Sequence, residues 1–503
     1  MNNLNLTFKH DVGEVLIKKY FEQLTLVDSN VRSFNNFVEN DLSKIIASEK
    51  EIEPTIIPHN IDSFKITLDK IWVGKPEIVE ADGSKREIMP QESRLRKITY
   101  AGPIMLEVSS HINGIQRETF TTQIGSLPIM LKSKLCNLNG KSRDDLIKAG
   151  EDPDDIGGYF IINGTEKVLI HMEDLAGNRM MIEKRSVGTS PFVGRVFSEY
   201  GSYKIPHSFE RPKDGILYIS FTRVKKIPIV VLLKALGMTK DSDIVMNINT
   251  PEHSDEIFIN LYEFVDIKTE EDALDWIAKE IGITQAKEIR LERMNDIVDR
   301  FLLPHLGVTS DLRSYKAQNL CKYFKQFILT AADEIPMDDK DHYMNKRIKM
   351  SGDLLGDLFR FNLRVLIDDL LYNFQRIVKR GKFPSIKVII REKLITQRIY
   401  SAMATGNWTG GRKGISQRIQ RMNYLDTLSN LQRVVSPLTT TQENFAARML
   451  HPTHFGRLCP SETPEGTNIG LRKNLALLAE VSLEDDENLV KEHLSNLGAK
   501  IIE

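Results

Sequence analysis

His451-Pro-Thr-His-Phe-Gly-Arg-Leu-Cys-Pro460, continuing as Ser461-Glu-Thr-Pro-Glu-Gly-Thr-Asn-Ile-Gly-Leu471, decides how this chain is read. Three prolines and three glycines in so short a span rule out a long helix and a regular central strand. In Thr463-Pro464-Glu465-Gly466, Pro464 presets φ for the second position of a β-turn and Gly466 suits its last corner, so the spacing predicts Glu465 held on a stiff turn. Rigid, irregular backbone carrying polar side chains suits a functional site. The same spacing suits an ordinary long surface loop, and the residues alone leave both readings open.

Upstream, from Thr396 to Arg433, the charge is one-sided. Arg398, Arg412, Lys413, Arg418, Arg421 and Arg433 face one acid within the segment, Asp426, and Gln417, Asn423, Asn430 and Gln432 are interleaved with them. Cations mixed with amides suit phosphate and sugar contacts that do not read bases. A solvated basic face is the competing reading. Gly406-Asn-Trp-Thr-Gly-Gly-Arg-Lys413 imitates a phosphate loop in its glycine spacing, but Arg412 stands where lysine belongs and Lys413 where the magnesium-binding Ser or Thr belongs. It is not a Walker motif.

The 503 residues exceed one ordinary core, so two to four domains are expected. Composition is globular, with 41% apolar and 27% charged residues, which argues against extensive disorder. The formal charge of −1 excludes a protein coated in nucleic-acid-binding charge and confines any such contact to a local basic patch. Cys136, Cys321 and Cys459 are far apart and form no CxxC pair, which argues against a disulfide framework or zinc ribbon and fits a reducing compartment. His451, His454 and Cys459 supply too few ligands for zinc, with no partner pair following. With no signal-peptide pattern and no apolar run of membrane length, the expected location is cytoplasmic, away from membranes.

The remaining chain alternates helix and strand signals. Asp11 and Glu14 read as a capping box, and Val31, Phe34, Phe37, Val38, Leu42, Ile45 and Ile46 form one helical apolar face. Strands are expected over 66–73 and 98–108, with Asp82-Gly83 as the turn between them. Lys132 and Lys134 read as solvated lysines on one strand face, and the segment 151–155 as a solvated acidic turn. Tyr159 to Ile162 and Glu166 to Ile170 read as a hairpin about Asn163-Gly164. Further on, 215–221 reads as a strand, 229–236 as a helix closed by Gly237, 270–281 as a helix, and 354–380 as a long helix ended by Gly381 and Pro384. The crowded acids Asp338, Asp339 and Asp341 with His342 are assigned no metal.

The string HPTHFGRLCPSETPEGTNIGLRKNLAL closely resembles the fork region of the second-largest subunit of multisubunit DNA-directed RNA polymerases, called β in bacteria and B in archaea. It departs at Thr467, where that family usually has Pro. ATGNW followed by GISQRIQRMNYLDTLSNLQRVVSPL resembles the fork loops, and LVDSNVRSFNNF with ESRLRKITYAGPIMLE resembles the start of the protrusion. IGSLPIMLKSKLC and GGYFIINGTEKVL match the archaeal and eukaryotic branch.

The resemblance implies a mixed α+β, multidomain chain. Residues 1–185 would be the first part of the protrusion, 186–340 the lobe, 341–395 the second part of the protrusion, 396–475 the fork, and 476–503 the start of a further domain or a tail. It implies strand and hybrid contacts from Arg412, Lys413, Gln417, Arg418 and Arg433. Glu462, Glu465 and Asn468 would lie near the incoming nucleotide, with the two glutamates ordering Arg457 and Arg472. Residues 436–447 would be the flexible loop near downstream strand separation. Asn430 and Gln432 stand where relatives commonly carry His and Arg, which weighs against Gln432 as a phosphate ligand.

Nucleotidyl transfer in this superfamily uses two magnesium ions clamped by an aspartate cluster. Asp144-Asp145, Asp368-Asp369 and Asp485-Asp486 lie in helical or charged surface contexts, so no catalytic residue, metal or cofactor is assigned to this chain. The resemblance puts the Mg2+ in the largest subunit. It also implies as partners the C-terminal half of the second-largest chain, the other polymerase subunits, the DNA template and the RNA–DNA hybrid. The chain stops soon after the fork, in a polar helix-like stretch over 483–496. That resembles the split subunit of some archaea, whose N-terminal half is a polypeptide called B double-prime; a truncated longer subunit is the other explanation. The expected function is a polymerase subunit, inactive by itself, that lines the DNA and hybrid channel. The alternative is a free-standing nucleic-acid-binding protein that reuses the fork fold.

Overall fold

A computed structural model describes residues 10–23, 26–58, 61–185, 188–201, 203–441, 444–483 and 487–499. The chain divides into two compact units, one made of Met1–Asp174 with Ile348–Glu503 and the other of Leu175–Arg347. With 42% helix and 22% strand in several separate sheets, the fold class is α+β, as expected.

The first unit is built on a four-stranded antiparallel sheet of Glu51–Ile52, Phe64–Val73, Ala101–Ile112 and Ile115–Pro128, in that order. Helix Ser351–Val378 lies in its core because Leu354, Leu355, Leu358, Phe359, Leu363, Leu366, Leu370 and Phe374 recur at helical spacing and are buried. Phe374 stacks on Phe64 of the sheet at 4.9 Å. The two chain segments of this unit are joined at a close approach. Ser351 N donates to Asn30 Oδ1 (3.2 Å) and Gly352 N to Ser33 Oγ (3.1 Å). A Cβ on Gly352 would fall 2.2 Å from the Ser33 carbonyl oxygen, so only glycine fits there.

Several local expectations change in three dimensions. Helix His10–Gln23 begins before Asp11, which therefore lies in its first turn. The 31–46 stripe is interrupted by a π-helical turn, Phe37–Asp41, between helices Asp28–Asn36 and Leu42–Ser48. That wider turn keeps Phe34, Phe37, Leu42, Ile45 and Ile46 on the buried side. Asp82-Gly83 does not join the two long strands; it closes a small hairpin of its own, Glu77–Val79 with Lys85–Glu87, with Gly83 at φ +85°. Lys132 and Lys134 lie in turns past the strand end at Pro128, not on a strand. Lys132 binds the Asp155 carbonyl, and Lys134 pairs with Glu39 at 2.7 Å. The Asn163-Gly164 hairpin forms as expected, with φ of +49° and +74° at its two corners.

The second unit is a five-stranded antiparallel meander, Met180–Lys184, Phe192–Tyr200, Tyr203–Glu210, Tyr218–Phe221 and Val224–Pro228. Helix Ile229–Ala235 follows and is buried along its whole length. Thr269 caps helix Glu270–Glu280 by accepting from Asp272 N. Asp338, from the crowded acidic segment, pairs with Arg179 at 3.2 Å and accepts from Ile182 N at 3.1 Å.

Candidate nucleic-acid interface

The basic segment begins where helix Glu392–Thr405 ends at Gly406, which adopts φ +77° and packs so tightly that a Cβ would meet the Ser416 carbonyl oxygen at 2.7 Å. The chain loops through 407–415, with Trp408 N donating to Arg412 O (2.8 Å) and the indole Nε1 to Leu354 O (2.9 Å). It then adds Ser416–Arg418 as an edge strand to Thr165–Leu169.

That topology changes the charge balance seen along the sequence. Arg412 pairs with Asp174 at 3.2 Å, and Arg421 with Glu166 at 2.5 Å and Asp155 at 3.4 Å. These acids come from residues 155–174, so two of the cations are already neutralised. Arg421 also lies over the Tyr159 ring, 5.1 Å from its centroid. Arg94 binds Glu166 (2.9 Å), Glu151 (2.8 Å) and Tyr159 Oη (2.8 Å), while Tyr159 donates to Asp155 at 2.5 Å. Burial opposes the charge of both arginines, but Tyr159, Glu151 and Glu166 around Arg94, and Glu166, Tyr159 and Asp155 around Arg421, hold both pKa values above the ordinary range. Burial first, then Asp155 and Glu166, pushes the Tyr159 phenol up. The segment 151–155 is a solvated turn only in part: Asp152 and Asp154 are exposed, but Glu151 is buried and Asp155 is bonded inward.

Lys413, Arg418 and Arg398 are exposed and have no carboxylate partner among the described residues. Arg418 sits directly opposite Lys167 in the strand register. Two cations facing each other across a ladder destabilise it unless an anion joins them. Lys167 partly relieves this by donating Nζ to Ala404 O at 2.9 Å. Gln417 turns back on its own loop, donating to Gly414 O at 3.0 Å. Asn430 is buried and donates to Gln420, while Gln432 donates to Leu26 O, so both amides serve packing.

Arg433 starts strand Arg433–Val435, which pairs antiparallel with Arg472–Asn474 and parallel with His171 and Met172. Arg433 is half-buried. Burial, then the neighbouring Arg472, holds its pKa below the usual guanidinium value, with Asp426 and Glu462 offsetting part of the effect. On the other face of the strand, Lys473 makes a buried pair with Glu173 at 2.7 Å.

The quoted loop is organised differently from the spacing. Glu465 is extended, at φ −74° and ψ 160°, so 463–466 is not a β-turn; a 3-10 turn follows at Gly466–Asn468. Rigidity comes instead from Thr463, whose Oγ1 donates to Arg472 O (2.9 Å) and accepts from Gly470 N (3.0 Å), closing the loop at its base. Arg448 adds a clamp that the sequence did not announce. Its guanidinium donates to Thr467 O (2.8 Å), Ile469 O (3.0 Å) and Thr440 O (3.1 Å). Glu462 accepts from Ser429 Oγ at 2.6 Å, and Arg457 donates to Thr453 O. Glu465 is exposed, and Asn468 O accepts from Leu471 N. A short helix, Phe445–Arg448, starts within the segment 436–447; Gln442 and Glu443 lie outside the described residues, as do Asp485 and Asp486. Among the described residues no group of three or more His, Cys, Asp or Glu could hold a metal ion. No described helix is long and apolar enough to cross a membrane.

The RNA polymerase beta subunit family matches residues 25–397, and domain 3 of RNA polymerase Rpb2 matches residues 417–481. This chain belongs to the RNA polymerase beta subunit family. It is similar to the DNA-directed RNA polymerase subunit Rpo2N of Methanocaldococcus jannaschii, 44% identical over 97% of this chain and 99% of the relative. Rpo2N of Methanococcus vannielii is 40% identical over the same shares. The longer Rpo2 of Saccharolobus shibatae is 42% identical over 97% of this chain but only 43% of its own length. The chain thus corresponds to the N-terminal half of archaeal Rpo2. It is a subunit of DNA-directed RNA polymerase, a nucleotidyltransferase complex, and not a free-standing nucleic-acid-binding protein.

Proposed function

We propose that this chain supplies the protrusion, lobe and fork lining one wall of the polymerase channel, and that Lys413, Arg418 and Arg433 meet the sugar-phosphate backbone of template and RNA–DNA hybrid there. The observation carrying this reading is the placement of Arg418 opposite Lys167, with exposed Lys413 nearby in sequence, while adjacent Arg412 and Arg421 are held by acids. Cations without protein partners suit a ligand that must slide regardless of sequence, since an A-like hybrid is recognised by backbone shape. Arg412 acts indirectly, tying the loop to Asp174. Glu462, Glu465 and Asn468 stand on the loop nearest the incoming nucleotide.

The metal-bearing chemistry belongs, in this reading, to the largest subunit, and the C-terminal half of the second-largest chain completes the wall. The similarity to Rpo2N over 99% of that relative's length is what favours the B double-prime reading, and the cytoplasm is where, in this reading, the subunit works. In reconstituted polymerase, Lys413→Ala with Arg418→Ala is expected to lower the salt slope of elongation-complex stability by about 1 per lost phosphate contact, without changing sequence preference. An unchanged slope would remove these residues from the channel wall.

A further inference from the structure

Antiparallel register pairs Arg433 with Asn474 and Val435 with Arg472. Residues two apart on a strand share a face, so Arg433, Val435, Arg472 and Asn474 project together, and Val434 and Lys473 project the other way. Arg433 and Arg472 are diagonal neighbours, a relation that puts such positions roughly 7–8 Å apart, within reach of long side chains. Both line a cavity of about 250 Å³ together with Ser429, Glu462, Thr463, Pro464, Lys473 and Asn474.

Asn474 Nδ2 donates to Ser429 Oγ at 3.3 Å, while its buried Oδ1 has no hydrogen-bond partner among the described residues. The Ser429 hydroxyl donates to Glu462, and the Thr463 hydroxyl donates to Arg472 O. Lys473 belongs to the opposite face and to Glu173. Neither Arg433 nor Arg472 has a carboxylate partner among the described residues, although Glu462 shares the cavity and Asp426 acts on Arg433 from a distance. Two guanidinium groups in one cavity repel each other, Asp426 and Glu462 offset only part of that repulsion at Arg433, and a shared anion removes the rest. Planar guanidinium forks match phosphate oxygens bidentately. With both lining hydroxyls engaged, the cavity offers charge and, beside the Asn474 amide oxygen, few groups with which to read a base.

We infer that Arg433 and Arg472 together bind one phosphate group of a nucleic-acid strand in this cavity. The inference rests on the channel reading above and narrows it to one phosphate and one pair of residues.

The test uses the assembled polymerase on an RNA–DNA scaffold. Neutral methylphosphonates replace the phosphates one at a time, first along the RNA and then along the template, and complex lifetime is read at fixed salt. The wild type is expected to show one position, on one strand, where the replacement shortens lifetime about tenfold, the size of a lost charged hydrogen bond. In Arg472→Leu that position loses its effect while the other positions keep theirs. Arg472→Lys, which keeps the charge without the fork, serves where Arg472→Leu does not assemble, and is expected to retain only part of the effect. Full sensitivity at every phosphate of both strands in the Arg472 variant would overturn the inference. If that happens while the Lys413 and Arg418 variants still lower the salt slope, the cavity fails alone; if the slope is also unmoved, the channel reading fails with it.

Discussion

Replacing Lys473 by methionine should be among the most damaging single changes in the first unit. The Lys473 side chain is 8% exposed and that of Glu173 is 3% exposed, with Nζ and Oε2 2.7 Å apart. Methionine fills much of the lysine volume, so the cost is mainly electrostatic: it takes the Lys473 ammonium away from the buried Glu173 carboxylate. Breaking one partner of a buried pair costs about 3–5 kcal/mol, whereas replacing both by apolar groups is often near neutral. Lys473→Met should therefore lose about 3–5 kcal/mol in urea unfolding, and Lys473→Met with Glu173→Leu should recover most of it. Lys473 lies on strand Arg472–Asn474, between Arg472 and the register partner of Arg433, so the single variant should also shorten the lifetime of the polymerase's elongation complex. A loss below about 1 kcal/mol for the single variant, or a double variant worse than the single, would show that the pair is solvated and the reasoning wrong.

His171, on the strand beside Val434, is buried and neither ring nitrogen has a hydrogen-bond partner among the described residues; burial lowers its pKa to about 4 from 6.5. The folded state binds its proton less readily than the unfolded state, so this stability is fully present above pH 6.5 and is lost as pH falls from there toward 4. Between pH 7 and pH 5 the wild type should lose about 2 kcal/mol more than His171→Phe, and parallel pH profiles in denaturant unfolding would contradict this. Gly470 adopts φ +71°, and a Cβ there would lie 2.2 Å from the Arg448 carbonyl oxygen. Gly470→Ala should therefore cost about 2–4 kcal/mol and loosen the Arg448 clamp; unfolding within about 0.5 kcal/mol of wild type would mean that the two loops are not held together as described.

The sequence determined what local chemistry can determine. Apolar spacing gave the buried face of Ser351–Val378, Asn163-Gly164 required positive φ and formed its hairpin, and the order of residues in 451–471 pointed to the polymerase family. Tertiary structure decided which cations are available to a ligand. Along the chain Arg412 and Arg421 resemble Lys413 and Arg418, and only folding brings Asp174, Glu166 and Asp155 to the first two. Strand pairing likewise set Arg433 diagonal to Arg472, and the Arg448 clamp with the Thr463 hydroxyl stiffened the loop where a proline-glycine turn was expected. Backbone preferences act over a few residues, so they can be read in order. Electrostatic pairing acts over a few ångströms of space, and which charges become neighbours is set by contacts between residues hundreds of positions apart.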